Sequence, residues 1–229
     1  MNKKRAFFTC LTVILLAVCV PAGWWVYRHN RPFPLPAQAT LFRGVTYQRE
    51  IWTSPRPVVI HGVVVDLDEP GVSTLVTPGD PEAELPLQAR TTSEFMRGFG
   101  VQVAVNGDFF SPWYSNTYFD YYPHSNDPVD VFGLAASQGE IYSPSSNNGP
   151  TLYLSRANNA DFNNPTGAIY NAVSGFPILL RTGNVVRGLD DIDRGPRTAV
   201  GLNRSKRYLI LVVVDGRQPG YSEGVTLAQ

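Results

Sequence analysis

Residues 207–229 read RYLILVVVDGRQPGYSEGVTLAQ. The apolar, largely β-branched run Tyr208–Val214 predicts a strand. Asp215 and Gly216 break that run, and a loop dense in turn residues follows. Ser222, Glu223 and Gly224 lead to Thr226, where TLAQ reads as the first turn of a helix. A carboxylate at a strand end sits on a rigid support, and the free N–H groups of a helix start attract anions. The stretch therefore predicts one wall of a polar cleft rising from the end of a buried strand.

Upstream, short apolar runs alternate with Gly, Pro, Asn and Asp. VTYQREIW (45–52), PVVIHGVVVDL (57–67) and VSTLVTP (72–78) read as strands, and VQVAVNGDFF (101–110) as a strand running into a loop. In the second half VFGLAAS (131–137), EIYS (140–143), TLYLS (151–155), AIYNAVSGFPILL (168–180), NVVRG (184–188) and RTAVGL (197–202) read the same way. Residues 143–166, rich in Ser, Asn and Pro, suggest a long surface loop. TTSEFMRGFG (91–100) is the one clear internal helix: Thr91 and Glu94 make a capping box, and Gly98 or Gly100 ends it. The expected fold is α+β, a single domain with a large mixed or antiparallel sheet and few helices.

An N-terminal apolar helix precedes it. Lys3, Lys4 and Arg5 lead into Ala6–Tyr27, which carries no charge and is long enough to span a bilayer. Residues 1–27 are expected to be a signal-anchor, with a cleaved signal peptide as the alternative. Either places the remainder outside the cytoplasm, membrane-anchored or secreted. The proline-rich stretch 28–40 reads as a linker, and 41–229 as the domain.

Formal charge is zero, but five of the 19 basic residues lie in the first 31, which hold no acid. The rest is net acidic, which argues against a nucleic-acid partner. Both cysteines, Cys10 and Cys19, fall in the apolar segment, so no disulfide framework and no thiolate nucleophile is expected. His61 and His124 are the histidines beyond that flank, too few for a multi-histidine metal centre, and no cofactor is expected. Lys206 is the one lysine of the domain, so arginine supplies nearly all its positive charge.

Four stretches carry candidate chemistry. Asn106, Gly107 and Asp108 follow an apolar strand, though Asn-Gly is also an ordinary turn. Arg197 and Thr198 open a strand, and a guanidinium beside a hydroxyl suits an anionic oxygen as well as a surface ion pair. Asp215, Gly216, Arg217 and Ser222 belong to the closing loop. Trp113, Tyr114, Tyr118, Tyr121, Tyr122 and His124 lie in a stretch that could stack on sugar rings or simply pack as a hairpin. Asp190, Asp191 and Asp193 read as a solvated turn rather than a calcium loop.

Taken in order, VNGDFF (105–110), GPRTAVGL (195–202) and LVVVDGRQPGYSEGVTL (211–227) resemble the phosphodiester glycosidase family, to which the catalytic domain of the lysosomal uncovering enzyme belongs. The resemblance covers about residues 58–229 and implies hydrolysis of a sugar 1-phosphodiester at the glycosidic bond. It implies catalytic roles for Asp108, Asp215 and Arg197, and substrate binding by Asn106, Gly107, Thr198, Gly216, Arg217 and Ser222. The implied partners are a carbohydrate phosphodiester or glycan, and the membrane through the N-terminal helix. The family usually has Glu where this chain has Gln229, and it continues through a helix into an Asn-Leu-Asp-Gly-Gly-Gly-Ser strand end. The 229 residues are accordingly expected to be an N-terminal portion of the family domain. The alternative expectation is a non-catalytic, membrane-tethered glycan- or phosphate-binding remnant.

Overall fold

A computed structural model describes residues 3–117, 120–144, 149–165 and 167–229. The elements are α1 (Lys3–His29), β1 (Ala37–Phe42), β2 (Val45–Trp52), β3 (Val58–Asp66), β4 (Leu87–Gln88) and α2 (Thr92–Phe99). There follow β5 (Phe110–Ser111), β6 (Tyr114–Thr117), β7 (Asp120–Tyr122), β8 (Pro128–Val131), β9 (Ala135–Ser137) and β10 (Glu140–Ser143). The last are β11 (Thr151–Leu154), β12 (Ala160–Phe162), β13 (Asn171–Ser174), β14 (Leu180–Arg181), β15 (Asn184–Val185), β16 (Arg197–Leu202) and β17 (Tyr208–Val214).

Two five-stranded antiparallel sheets dominate, in the orders β1-β2-β3-β17-β16 and β10-β9-β13-β11-β12. This is the α+β architecture expected. The apolar run at 208–214 lies inside the first sheet, paired with the central strand β3 on one side and the edge strand β16 on the other. Strand period two puts Val65 and Leu209 on the inner face, where they meet Leu152, Leu154 and Ala160 of the second sheet. The outer face is closed by Val58, Val214 and Val225. A smaller core of Leu87, Val129, Ala135 and Tyr142 lies under the aromatic hairpin.

At the far end of the central pair, Arg207 grips Asp66 with two parallel hydrogen bonds, Nε to Oδ1 at 2.8 Å and Nη2 to Oδ2 at 2.6 Å. This fork fixes the register of β17 on β3 and holds the Asp66 carboxyl below its usual range.

α2 begins with the capping box anticipated from Thr91 and Glu94, and Gly100, in the left-handed conformation at φ 66°, ends it. α1 is long and apolar enough to cross a membrane, a test that a signal sequence passes equally. β1 begins at Ala37, so the first sheet starts inside the proline-rich stretch expected as a linker.

Four local expectations are corrected. Residues 72–78 form no strand: the carbonyls of Val72, Thr74 and Val76 accept from Asn158 Nδ2, Asn171 Nδ2 and Ser137 Oγ at 2.7–2.8 Å. Side chains replace a neighbouring backbone there. Residues 101–107 belong to no ladder among the described residues. The 143–166 stretch contains β11 and β12, two strands of the second sheet, joined through Asn158 at φ 58°. Residues 226–229 make a turn rather than a helix start. Gln229 Oε1 does accept from the Thr226 N–H at 3.3 Å, but the buried Thr226 Oγ1 has no partner, so only half of the capping box exists.

Two outcomes are expected. Leu209→Ala, opening a hole between the sheets, lowers stability by about 2–5 kcal/mol in urea unfolding. Because the Asp66 pKa is depressed, its stabilising contribution is complete above the usual carboxylate range and is lost as pH falls through the lowered folded value. Urea midpoints for Asp66→Asn should therefore converge on those of the unaltered protein as the medium is acidified, and a gap that stays constant with pH would contradict this.

Candidate functional site

The site grows from the end of the central strand pair. The Asp215 N–H donates to the Val59 carbonyl at 3.0 Å, extending the ladder one residue past β17. Ser222 locks this corner: its hydroxyl accepts from the Val59 N–H at 3.0 Å and donates to the Asp215 carbonyl at 2.6 Å. The backbone of Asp215 is thus held from two directions, and its side chain projects on the inner face with Val213 and Leu211.

One row across the sheet matches Arg49, His61, Val213 and Thr198 on neighbouring strands. On this inner face the apolar side chains of the sheet centre give way to polar ones. His61 Nε2 lies 3.5 Å from Asp215 Oδ2, and His61 Nδ1 lies 2.7 Å from the Tyr47 hydroxyl. Both His61 and Asp215 keep 30% of their side chains exposed, so the pair is open to solvent on one side. Thr198 Oγ1 donates to Asn106 Oδ1 at 2.5 Å, joining the unpaired 101–107 segment to the same row.

Two residues further on, Asp108 is cradled by backbone. Its Oδ1 accepts from the Phe109 N–H at 2.7 Å and its Oδ2 from the Gly133 N–H at 2.9 Å. Burial raises its pKa, and these two N–H groups oppose the rise in part. Gly133 must lack a side chain, because a Cβ there would fall 2.7 Å from Asp108 Oδ2 and 2.1 Å from Ser174 Cβ. A Cβ on Gly107 would crowd Val173 at 3.2 Å.

The arginines take the other side. Arg197 and Thr198 are successive in β16, so their side chains leave on opposite faces, and they do not form the shared anion contact expected of neighbours. Arg197 Nη2 donates to the Asp193 carbonyl at 2.7 Å and pairs with its carboxylate at 3.3 Å, while its buried Nε has no partner. Arg217, at φ 57°, turns its guanidinium to the same place. A Cβ added to Gly195 would stand 3.6 Å from both Arg197 Nη1 and Arg217 Nη2, so two guanidiniums flank the space that glycine leaves. The peptide at 195–196 is itself gripped. A Cβ on Gly216 would lie 2.3 Å from Pro196 N, one on Gly224 2.3 Å from the Gly195 oxygen, and Gly195 pairs with Val225 by two 3.1 Å hydrogen bonds.

The structure thus brings Asn106, Thr198 and Asp215 to the inner face, holds Asp108 two residues along the chain against Gly133, and gathers Arg197, Arg217 and Gly216 around residues 195–196. Ser222 differs from its expected role: it is fully buried and its hydroxyl is spent on backbone. Tyr47 and His61 were missed as candidates. Antiparallel pairing of β2 and β3 about the 53–57 turn makes them diagonal neighbours on one face, a signal present in the sequence once the register is set. The aromatic stretch is a hairpin of β6 and β7 with Tyr114 stacked on Tyr122 at 5.1 Å and Tyr121 on His124 at 5.0 Å. Trp113 is exposed, and Tyr118 lies outside the described residues. The acidic turn is self-satisfied: the Asp190 carboxylate accepts the N–H groups of Ile192 and Asp193. Among the described residues no group of three or more metal-ligating side chains occurs.

Ser222→Ala should cost about 1–3 kcal/mol by leaving the Val59 N–H without an acceptor. Amide exchange at Val59 should accelerate more than at Leu209, and equal acceleration at both would remove the local explanation.

Comparison with known proteins agrees with this architecture. The chain is similar to a crystal structure of a hypothetical protein from Synechocystis, with TM-score 0.60 and 14% identity. The match covers 85% of this chain and 55% of that one, so the chain spans about half the length of its structural relative. At that identity the likeness concerns the fold. No curated protein matches the sequence. The family model described as phosphodiester glycosidase matches residues 99–229, more than half of the chain, from α2 through the arginine pair to the final residue. The chain belongs to the phosphodiester glycosidase family.

Proposed function

We propose that this protein is an extracytoplasmic hydrolase that cleaves a sugar 1-phosphodiester at the bond between the anomeric carbon and the phosphate oxygen. The observation that carries the reading is the convergence of Arg197 and Arg217 over Gly195, at the end of the strand pair that also bears Asp215. Two guanidiniums around a space without a side chain suit a phosphate, which they neutralise and orient. Asp193 already takes one edge of Arg197, so Arg217 is the freer of the two.

A phosphate monoester departs with little help from a proton, so the site needs less general-acid strength than ordinary glycoside hydrolysis. Its need is for a carboxylate at the anomeric side. Asp215 takes that role, activating water or stabilising the oxocarbenium-like centre. Asp108, whose raised pKa fits a group able to hold a proton, is the second carboxyl. Asn106, Gly107, Thr198 and Gly216 take the substrate-binding role in this reading. Water adds to the anomeric carbon, the bond to the phosphate oxygen breaks with its electron pair on that oxygen, and the water proton passes to the carboxylate. The apolar α1 fits delivery to the far side of a membrane, as an anchor or as a signal.

The test uses the full chain and a panel of methyl glycosyl-1-phosphates, following release of methyl phosphate. Asp215→Asn should lower kcat by about 100-fold or more. Arg217→Met should raise KM at least about tenfold, the scale of a lost charge-assisted phosphate contact. Undiminished turnover by Asp215→Asn removes that residue from the chemistry. Binding of the diesters without turnover by the unaltered protein would favour the glycan- or phosphate-binding alternative.

A further inference from the structure

We propose that His61, oriented by Tyr47, is a positioning residue of this site, presenting its Nε2–H to Asp215 and thereby fixing which carboxylate oxygen faces the substrate. The proposal rests on the functional reading above for the role of Asp215. Both residues lie before the segment that the family model matches, in strands β2 and β3.

The geometry selects one arrangement of protons. A carboxylate only accepts, so a bare ring nitrogen facing Asp215 Oδ2 at 3.5 Å would set lone pair against negative charge. A proton on Nε2 removes that conflict. In the neutral ring Nδ1 then accepts, and the Tyr47 hydroxyl at 2.7 Å is placed to be its donor. The chain Tyr47 O–H to Nδ1, Nε2–H toward Oδ2, gives both ring nitrogens a polar neighbour of the right kind and leaves Oδ1 of Asp215 free of this contact. Tyr47 also lies against the ring, with centroids 6.0 Å apart, so the imidazole is limited in tilt as well as in tautomer.

The surroundings keep the contact simple. Arg49, opposite His61 on β2, directs its Nε to the Leu35 carbonyl at 2.8 Å. On the β17 side the opposing residue is Val213, and beyond it Thr198 is committed to Asn106. Asp108 is the titratable group on the segment that Asn106 joins to this row, and its two oxygens are held by backbone. In the hydrolytic step His61 exchanges no proton with substrate. Oδ1 of Asp215 takes the water proton while Oδ2 stays on Nε2–H.

Glutamine at position 61 retains an N–H near the place of Nε2 but is not an imidazole, whereas leucine retains bulk alone. On the methyl glycosyl-1-phosphate panel, His61→Leu is expected to lower kcat by about 10–100-fold with KM within about threefold, the scale of orienting partners in active sites. His61→Gln should recover to within about fivefold of the unaltered protein, and Tyr47→Phe should fall between them. Independently of activity, ¹⁵N–¹H correlation spectra of the full chain should show the neutral His61 ring protonated on Nε2, a preference that Tyr47→Phe weakens. An unaffected kcat in His61→Leu, equal losses in His61→Leu and His61→Gln, or a ring protonated on Nδ1 would each overturn the proposal. If the unaltered protein turns over none of the diesters, the functional reading falls, and the tautomer measurement alone decides the Tyr47–His61–Asp215 arrangement.

Discussion

The pairing of β17 with β3 is the constraint on which the rest depends. Seven residues of each strand match in register, from Tyr208 opposite Asp66 to Val214 opposite Ile60. At one end the Arg207–Asp66 fork fixes that register, and at the other Ser222 ties Val59 to Asp215. A slip of one residue would send Leu209 to the outer face and turn Asp215 away from His61, losing core and site together. Fold stability and site geometry are therefore properties of one ladder.

Strand alternation also divides the labour. The inner face carries the apolar contacts of Val65 and Leu209 near the Arg207 end and the polar row of His61 and Thr198 near the other. The outer face carries Arg197 above Val214 and Val225. Acid and cation reach the same strand end by different routes, which keeps Asp215 and the arginines from collapsing into an ion pair. Among the described residues Arg197 pairs with Asp193, and Asp215 lies 3.5 Å from His61 Nε2.

Local signals were the most legible in the sequence. The Thr91–Glu94 capping box needs four residues of context, and the structure contains it. The β-branched runs at 45–52, 58–66, 197–202 and 208–214 are strands because their period matches two buried faces. What failed depended on distant partners. The 72–78 run has strand composition, but its carbonyls are satisfied by the side chains of Asn158, Asn171 and Ser137, far along the chain. The placement of Asp215 and Arg217 just past a strand was legible from the apolar run at 208–214, whereas the run before Asp108 is not a strand. Ser222 was legible as a loop hydroxyl, but its use in closing a corner depends on Val59, far along the chain. Tyr47 and His61 were obscured because each sits singly in a strand, and only the register sets them together.

The peptide at Gly195–Pro196, held between Gly216 and Gly224, has a mechanical consequence. Arg197 belongs to the strand that this peptide leads into, and Arg217 to the loop that presses on it. The two guanidiniums are mounted on opposite jaws of one vice, with a stiff backbone wedge between. The two backbones that carry these cations are thus positioned by main-chain packing at Gly195, Gly216 and Gly224 rather than by the side chains themselves.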